Sequence, residues 1–203
     1  MSRRREAIRR SAVATGKGDD GTTGLLFGGA ARIAKDDPRT EAYGTVDEAV
    51  AALGLARAEL DAAGGGTDAR EQADLILRLQ RELFVVGAEL AADPAKRDRL
   101  EDGVTRVSEA MLEGIETTLA NIEGRVTMPR EFVVPGETRL SAALELARTI
   151  VRRAERRAVS LRREGLSPGD WLVPYLNRLA DLLWVLARAA EQAESKNAPP
   201  SRA

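Results

Sequence analysis

The chain contains neither cysteine nor histidine among its 203 residues. The lack of cysteine excludes disulfide scaffolds, thiolate metal sites, thiol nucleophiles and iron–sulfur clusters. The lack of histidine excludes serine triads of the usual kind, histidine-ligated zinc and histidine-ligated haem. Any chemistry must therefore use acidic and basic side chains, hydroxyl groups and the backbone, or a cofactor.

Three further shortages narrow the class of protein. Aromatic residues make up only 3% of the chain, which disfavours all-β folds and base-stacking surfaces. No apolar run approaches the roughly 20 residues that span a bilayer. The charges nearly cancel, with 31 Lys and Arg against 32 Asp and Glu, so a broad nucleic-acid-binding surface is not expected.

The length fits one domain with a full core. We expect a basic N-terminal tail over residues 1–14, a single helical domain over 15–194 and a loose C-terminal tail over 195–203. The segment from Met1 to Arg10 is rich in arginine, but no apolar stretch follows it. It is therefore not predicted to be a secretory signal, and a cytoplasmic location is expected.

Apolar residues recur at helical spacing in five segments, which predicts five helices. The first helix is predicted to start at a capping box over Thr45–Glu48 and to end at the glycines 64–66. The second is predicted to start at Thr67 or Asp68 and to end at Asp93-Pro94, and the third to cover about 104–123. The fourth helix closes at Gly165, and the fifth starts with Ser167 as N-cap and Pro168 at the first helical position.

Each predicted helix has an apolar seam, and the seams of the last two repeat a strict 4,3 spacing. The seams are Val46, Ala49, Leu53, Ala56 and Leu60; Ile76, Leu79, Leu83, Val86 and Leu90; Met111, Ile115, Leu119 and Ile122; Leu140, Leu144, Ala147, Val151, Ala154, Ala158 and Leu161; and Leu172, Leu176, Leu179, Leu183, Leu186 and Ala190. This pattern predicts an all-α, up-and-down five-helix bundle, preceded by an ordered Gly- and Thr-rich loop.

The loop from Thr15 to Gly24 is the first candidate site. Its glycines let several backbone N–H groups turn toward one anion, and its threonines and Lys17 add donors. Asp19 is placed to hold Mg²⁺ beside bound phosphates. Residues 16–21 match GxGxxG, but a dinucleotide fingerprint needs a strand before it and a helix after it, and neither is predicted. The alternative interpretation is a flexible Gly/Thr linker.

A charged stripe on the fourth helix is the second candidate. Its members, at 3,4,3 spacing, are Glu145, Arg148, Arg152 and Glu155. The stripe lies beside the apolar seam, where it faces a neighbouring helix or subunit. Arginine there suits a bidentate grip on phosphate or carboxylate. The alternative is a solvated ladder of salt bridges.

Two single residues complete the candidates. Phe132 stands between Pro129 and Pro135, in a stiff loop where it either caps a pocket or plugs the core. Asn177 flanks the seam of the fifth helix, and a polar amide there needs a partner, either structural or a ligand.

In their order along the chain, these segments resemble the PduO-type ATP:cob(I)alamin adenosyltransferases. The resemblance runs from about Thr15 to about Glu194. It is carried by Thr15-x-x-Gly18-Asp19-x-Gly21-Thr22-Thr23, Lys35-Asp36-Asp37-Pro38-Arg39, Glu41-Ala42-Tyr43-Gly44-Thr45-x-Asp47-Glu48, Phe132-x-x-Pro135-Gly136, Ala147-Arg148-Thr149-x-x-Arg152-Arg153-Ala154-Glu155-Arg156 and Leu176-Asn177-Arg178-Leu179.

The resemblance implies a bundle assembled as a homotrimer with active sites between subunits. It implies transfer of the 5′-deoxyadenosyl group of ATP to the cobalt of reduced cobalamin, with Mg²⁺ and release of triphosphate. ATP and the corrinoid would be substrates. An adenosylcobalamin-dependent enzyme or a cobalamin reductase would be a protein partner, and neither nucleic acid nor a membrane is expected as one.

The resemblance also implies roles for individual residues. Phe132 would lie under the corrin and displace its lower ligand, and Arg148 would meet Asp47 across a subunit boundary. The implied nucleotide site consists of Thr15, Gly16, Lys17, Gly18, Thr23, Gly24, the phosphate-pairing Lys35, Arg152, Arg153, Glu155, Arg156 and Asn177. The chain departs from the family pattern at Lys17, which stands one place later than usual, and at Ala49-Val50, Glu137 and Glu145. The alternative function is a non-catalytic bundle that binds ATP or delivers adenosylcobalamin, and a third is a purely structural bundle.

Overall fold

Five helices dominate the part of the chain that the computed structural model describes, namely residue 11 and residues 13–62, 66–166 and 169–202. The helices are α1 (Pro38–Ala62), α2 (Thr67–Ala91), α3 (Glu109–Glu123), α4 (Arg139–Arg163) and α5 (Leu172–Ala193). A 3-10 helix (Pro94–Arg99) follows α2, and two short antiparallel strands, β1 (Thr22–Gly24) and β2 (Arg32–Ala34), precede α1. The predicted helical fold is confirmed. Among the described residues, no helix is long and apolar enough to cross a membrane.

Helices α1 and α4 pack side by side in opposite directions, as in an up-and-down bundle. Helix α1 packs against α2 and α4, and α5 packs against α4 and α3. Glu59, near the end of α1, bonds to Arg139 at the start of α4, whereas Glu41, near the start of α1, bonds to Arg157 near the end of α4. These two helices are therefore antiparallel, and they present a shared outer face with charged pairs along it.

The predicted seams form the core. Every seam residue predicted for α1, α2 and α5 is buried, and so is every one predicted for α4 except Leu140, which is partly buried. In α3 only Ile115 is fully buried, and the other three seam residues pack against the core from its edge. Alanines in the α4 seam leave little side-chain bulk between the helices, so α4 sits close to both α1 and α5.

The capping box predicted at Thr45 is wrong, because α1 begins seven residues earlier at Pro38. Asp37 caps the helix, since its carboxylate accepts from Arg39 N at 2.9 Å, and proline suits the first helical position. Thr45 lies inside the helix, where its hydroxyl donates to Glu41 O at 2.7 Å. A threonine followed by Glu48 fits both a capping box and a helix interior, and Asp37-Pro38 is the stronger signal.

Two other predicted helix starts also shift. Helix α3 begins at Glu109 rather than near 104, with Ser108 as its N-cap accepting from Met111 N at 3.3 Å. Helix α5 begins at Leu172, and its N-cap Trp171 makes no side-chain cap bond. Some earlier predictions fall outside the described residues, namely most of the N-terminal tail (residues 1–10 and 12), the glycines 64 and 65, and the helix start at Ser167-Pro168.

Candidate functional site

A groove runs along α4 and α5 and is built from three adjoining cavities. The first, of about 420 Å³, is lined by Phe132, Arg148 and Trp184. The second, of about 320 Å³, is lined by Arg148, Trp184 and Arg152, and the third, of about 460 Å³, by Arg152, Arg156 and Asn177. Because each cavity shares a side chain with the next, they form one continuous surface, here called the α4–α5 groove.

Phe132 stands at one end of the α4–α5 groove with 88% of its surface exposed. The alternative that it plugs the core is therefore wrong. Its loop, between α3 and α4, is held by the C-terminal segment that was expected to be a loose tail. Ser201 N donates to Phe132 O at 2.7 Å, and Val134 N donates to Pro199 O at 2.9 Å. These backbone bonds hold the loop in place while its aromatic ring projects from it.

Three arginines at every fourth position form the positive wall of the α4–α5 groove. Arg148 pairs with Glu145 at 2.6 Å, but among the described residues Arg152 and Arg156 have no ion pair with a carboxylate. Asn177 Nδ2 donates to Glu155 Oε1 at 3.2 Å, which places the predicted amide opposite this wall. The alternative of a continuous salt-bridge ladder therefore holds only for the Arg148–Glu145 pair. Arg156 Nη1 donates to Arg152 O at 3.0 Å, but no carboxylate among the described residues neutralises either guanidinium, and such groups suit phosphate.

Arg153 does not join the other arginines within one chain. One residue along a helix turns the side chain by about 100°, and Arg153 instead pairs with Glu48 on α1. Asp47 is likewise exposed on α1 and makes no ion pair with Arg148 among the described residues. Arg153 thus lies on the face shared by α1 and α4, and neither Arg153 nor Asp47 lines a cavity of the α4–α5 groove of its own chain.

The loop from Thr15 to Gly24 has a defined structure, which disfavours the flexible-linker alternative. Arg32, on β2, donates to Lys17 O at 2.7 Å, to Thr22 O at 2.8 Å and to the Thr22 hydroxyl at 2.6 Å. Lys35 passes directly over Gly18, where an added Cβ would lie 2.9 Å from Lys35 Nζ. A side chain at position 18 would therefore require the end of the Lys35 side chain, predicted to pair with phosphate, to move.

The Asp20 carboxylate accepts two hydrogen bonds from within the loop. The hydroxyl and the N–H of Thr22 both donate to Asp20 Oδ1, at 2.7 and 2.9 Å. These hydrogen bonds lower the pKa of the Asp20 carboxyl, and the bond from the Thr22 hydroxyl has the larger effect. The Asp19 carboxylate makes no such hydrogen bond among the described residues, and its assignment to Mg²⁺ stays a prediction. No group of three or more acidic side chains placed to hold a metal ion occurs among the described residues.

The loop sits at the end of the bundle where α2 ends and α1 begins. Leu26 pairs with the end of α2, donating to Ala91 O at 2.8 Å and accepting from Asp93 N at 2.9 Å. Arg99 lies 4.3 Å above the Phe27 ring. No hydrogen bond or ion pair in the described part of the chain joins this loop to the α4–α5 groove. No loop residue lines any of the three cavities either, so within the described part of one chain the two predicted halves of the nucleotide site are not joined.

Sequence reasoning missed three residues of these sites. Trp184 lines two of the three cavities, and its spacing of seven from Asn177 was the signal that both lie on one face of α5. Arg32 organises the loop, but nothing in its sequence context marked it. Arg163 also lines the third cavity. It stands seven positions after Arg156, which is about two helical turns and keeps it on the same face of α4.

The family model for cobalamin adenosyltransferases matches residues 13–190. A corrinoid adenosyltransferase of Citrobacter freundii is 40% identical over 179 residues, which cover 88% of this chain and 94% of that protein. The corrinoid adenosyltransferase PduO of the same organism is 37% identical over 189 residues, 92% of this chain but 52% of that protein. This chain thus spans about half the length of the second relative.

A solved structure agrees with these matches. A variant PduO-type ATP:corrinoid adenosyltransferase from Lactobacillus reuteri, complexed with cobalamin and ATP, superposes with a TM-score of 0.80 at 30% identity, covering 94% of this chain and 96% of that one. The fold is that of an ATP-dependent corrinoid-modifying enzyme. The chain belongs to the cobalamin adenosyltransferase family.

Proposed function

We propose that this chain transfers the 5′-deoxyadenosyl group of ATP to the cobalt of cob(I)alamin. Cobalt(I) donates an electron pair to the C5′ carbon, the C5′–O bond breaks, and triphosphate leaves with the electrons of that bond. The products are adenosylcobalamin and triphosphate. The observation that carries the proposal is the α4–α5 groove, which places an exposed Phe132 at one end and unpaired arginines at the other.

The arginine end suits the nucleotide. Arg152 and Arg156, with Asn177 and Glu155 beside them, would bind the phosphates and orient the C5′ carbon. As triphosphate leaves, its charge grows, and guanidinium groups already in place stabilise that charge without reorganising. Mg²⁺ fits the same arrangement, since it is commonly bound by one or two carboxylates together with substrate phosphates. Asp19 is the carboxylate proposed for it.

The Phe132 end suits the corrinoid. An exposed aromatic ring on a loop fixed by backbone bonds would lie flat against the corrin and exclude water and the lower ligand from cobalt. Arg148 and Trp184, which line the same cavity, would contact the rest of the ring system. A cobalt without a lower ligand is more readily reduced to the nucleophilic Co(I) state.

We further propose that the site is completed by a second copy of the chain, in a homotrimer. The loop residues Thr15 to Gly18, Thr23, Gly24 and Lys35 would close over ATP bound in the neighbour's α4–α5 groove, and Asp47 would meet the neighbour's Arg148. The lack of any loop residue in the lining of the three cavities of the same chain supports this. So do Leu55 and Leu146, each 49% exposed on the outer face of α1 and α4.

The test is a spectrophotometric assay with chemically reduced cobalamin, ATP and Mg²⁺. We expect the visible spectrum of adenosylcobalamin to appear with release of triphosphate. ATP binding by calorimetry without product would instead favour the delivery protein, and the absence of both would favour a structural bundle.

A further inference from the structure

A buried chain of four alternating charges lies behind the corrinoid end of the α4–α5 groove. Arg148 Nε lies 2.6 Å from Glu145 Oε2, Glu145 Oε1 lies 3.3 Å from Arg188 Nη1, and Arg188 Nη2 lies 2.8 Å from Glu191 Oε1. The side chains of Glu145, Arg188 and Glu191 are 6%, 2% and 2% exposed, whereas Arg148 is 26% exposed. Arg148 and Glu145 line the first cavity of the groove, whereas Arg188 and Glu191 line none of its three cavities.

Glu145 is the member that joins the groove to the interior. Each of its two oxygens faces a different guanidinium, one in the wall and one in the core. Because a buried carboxylate is costly unless it is paired, both contacts hold its position, and its position in turn fixes Arg148. With Nε of Arg148 occupied by Glu145, the terminal Nη groups are those left for a ligand.

The interior anchor is itself constrained. Arg188 lies 5.6 Å from the ring of Trp184, which lines the same cavity as Phe132 and Arg148. Among the described residues, Nε and Nη1 of Arg188 have no hydrogen-bond partner, so the contact of Nη1 with Glu145 is an ion contact without hydrogen-bond geometry. Arg188 therefore depends on the two carboxylates for its compensation.

We propose that Glu145 is a positioning residue for corrinoid binding, which holds Arg148 against the groove through the buried Arg188. This inference rests on the proposed function, because it assigns Arg148 to the corrinoid. Glu191 also compensates Arg188 but touches nothing in the groove wall. The two glutamates therefore share a structural role, and only Glu145 has a role in ligand binding.

The experiment compares Glu145→Gln with Glu191→Gln. Cob(II)alamin is titrated in the presence of ATP, and its dissociation constant is measured by spectral change, with ATP affinity and melting temperature on the same samples. Glu145→Gln is expected to weaken cob(II)alamin binding by about tenfold or more, as for loss of a charge-assisted contact, with ATP affinity unchanged. Glu191→Gln is expected to lower the melting temperature similarly while leaving corrinoid affinity within about twofold.

A double-mutant cycle shows whether Glu145 acts through Arg148. In an Arg148→Ala background, Glu145→Gln should have no further effect on cob(II)alamin affinity. Additive losses, or equal losses in the two glutamate variants, would overturn the proposal. If Glu145→Gln does not fold, Glu145→Asp takes its place, since it keeps the charge but withdraws the carboxylate from Arg148. Failure of the proposed function would be seen separately: the unmodified chain would bind cob(II)alamin but would form no adenosylcobalamin in the turnover assay.

Discussion

The arginines of α4 illustrate how one residue's direction decides its role. Arg152 and Arg153 are neighbours in sequence, yet the first faces the α4–α5 groove and the second pairs with Glu48 on α1. Arg157 likewise pairs with Glu41. The same helix thus carries arginines that line the α4–α5 groove on one face and arginines that contact α1 on another.

Replacing Arg152 by alanine should therefore weaken ATP binding by about tenfold or more, since a charge-assisted contact to phosphate contributes about 1.5–3 kcal/mol. Arg157→Ala removes the same charge from the same helix outside the groove, and it should leave ATP affinity unchanged. Calorimetric titration of ATP into both variants checks this. Equal affinities in the two variants would remove Arg152 from the nucleotide site.

Replacing Phe132 by alanine should abolish most turnover with little change in stability. Its ring is 88% exposed, and substitutions at exposed positions change the free energy of unfolding by only about 0.5 kcal/mol. The folded variant should bind ATP normally, and its bound cob(II)alamin should keep a five-coordinate spectrum. Phe84→Ala, at another exposed phenylalanine, is the control and should retain turnover. A four-coordinate spectrum in Phe132→Ala would show that the ring does not displace the lower ligand.

Glu82 makes the stability of the bundle depend on pH. Burial raises the pKa of its carboxyl above 4.5, and a 2.7 Å hydrogen bond from the Tyr175 hydroxyl offsets this only in part. Between 4.5 and that raised pKa the folded state binds more protons than the unfolded state, so this group's contribution to stability falls as pH rises through the window. Glutamine cannot titrate.

The free energy of unfolding of Glu82→Gln, relative to the unmodified chain, should therefore increase as pH rises from 4.5 through this window. Chemical denaturation at a series of pH values measures the difference. A Glu82→Gln difference independent of pH would mean that the carboxyl titrates alike in both states.

Among the elements, α1 depends on its cap for a defined start. Asp37 accepts from Arg39 N, and the neighbouring guanidinium lowers the pKa of the Asp37 carboxyl. Asp37→Ala should cost about 0.5–2 kcal/mol, the usual value for a lost N-cap. Asp36→Ala, one position earlier and exposed, should cost less than about 0.5 kcal/mol. Urea denaturation of the two variants decides the matter, and similar losses would argue against the cap.

The helices were predictable because the apolar residues of each seam recur every three or four positions, as they must if one face of a helix packs into the core. Alternating steps of four and three from Leu144 to Leu161 bring one face of α4 inward, and the structure buries that face. Helix starts were less predictable, since Thr45 meets the local rule for a cap although Asp37-Pro38 supplies the real one. Local rules rank possible caps, but the tertiary structure selects one.

The candidate site was only partly predictable for a related reason. Periodicity placed Arg148 and Arg152 beside the seam, but it does not tell which neighbour such a stripe faces. The place of Trp184 in the groove and the pairing of Ser201 with the Phe132 loop join segments that are distant in sequence. No spacing rule within a single helix reports such contacts.

At the scale of the whole molecule, the proposed trimer predicts complementation between two inactive variants. Lys35→Ala impairs the loop half of a site and Arg152→Ala the groove half. In trimers assembled at random from both chains, about a quarter of the boundaries would join two intact halves. Co-expression with two different tags, followed by tandem purification, should therefore restore measurable adenosyl transfer.

Light scattering of the unmodified chain should give three times 21.9 kDa, and a monomer at micromolar concentration would contradict shared sites.

The arginine wall of the α4–α5 groove has a consequence for how the enzyme responds to its surroundings. Arginine keeps its charge at every pH at which proteins are handled, and the chain has no histidine. The protein therefore brings no proton-dependent cation to the phosphates near neutrality. A change of ATP affinity between pH 6 and 8 should instead follow the terminal phosphate of the nucleotide itself, which loses its last proton near pH 6 by analogy with phosphorylated side chains. The positive charge of the groove would stay constant, and the pH dependence of ATP affinity would follow the ionisation of the nucleotide alone.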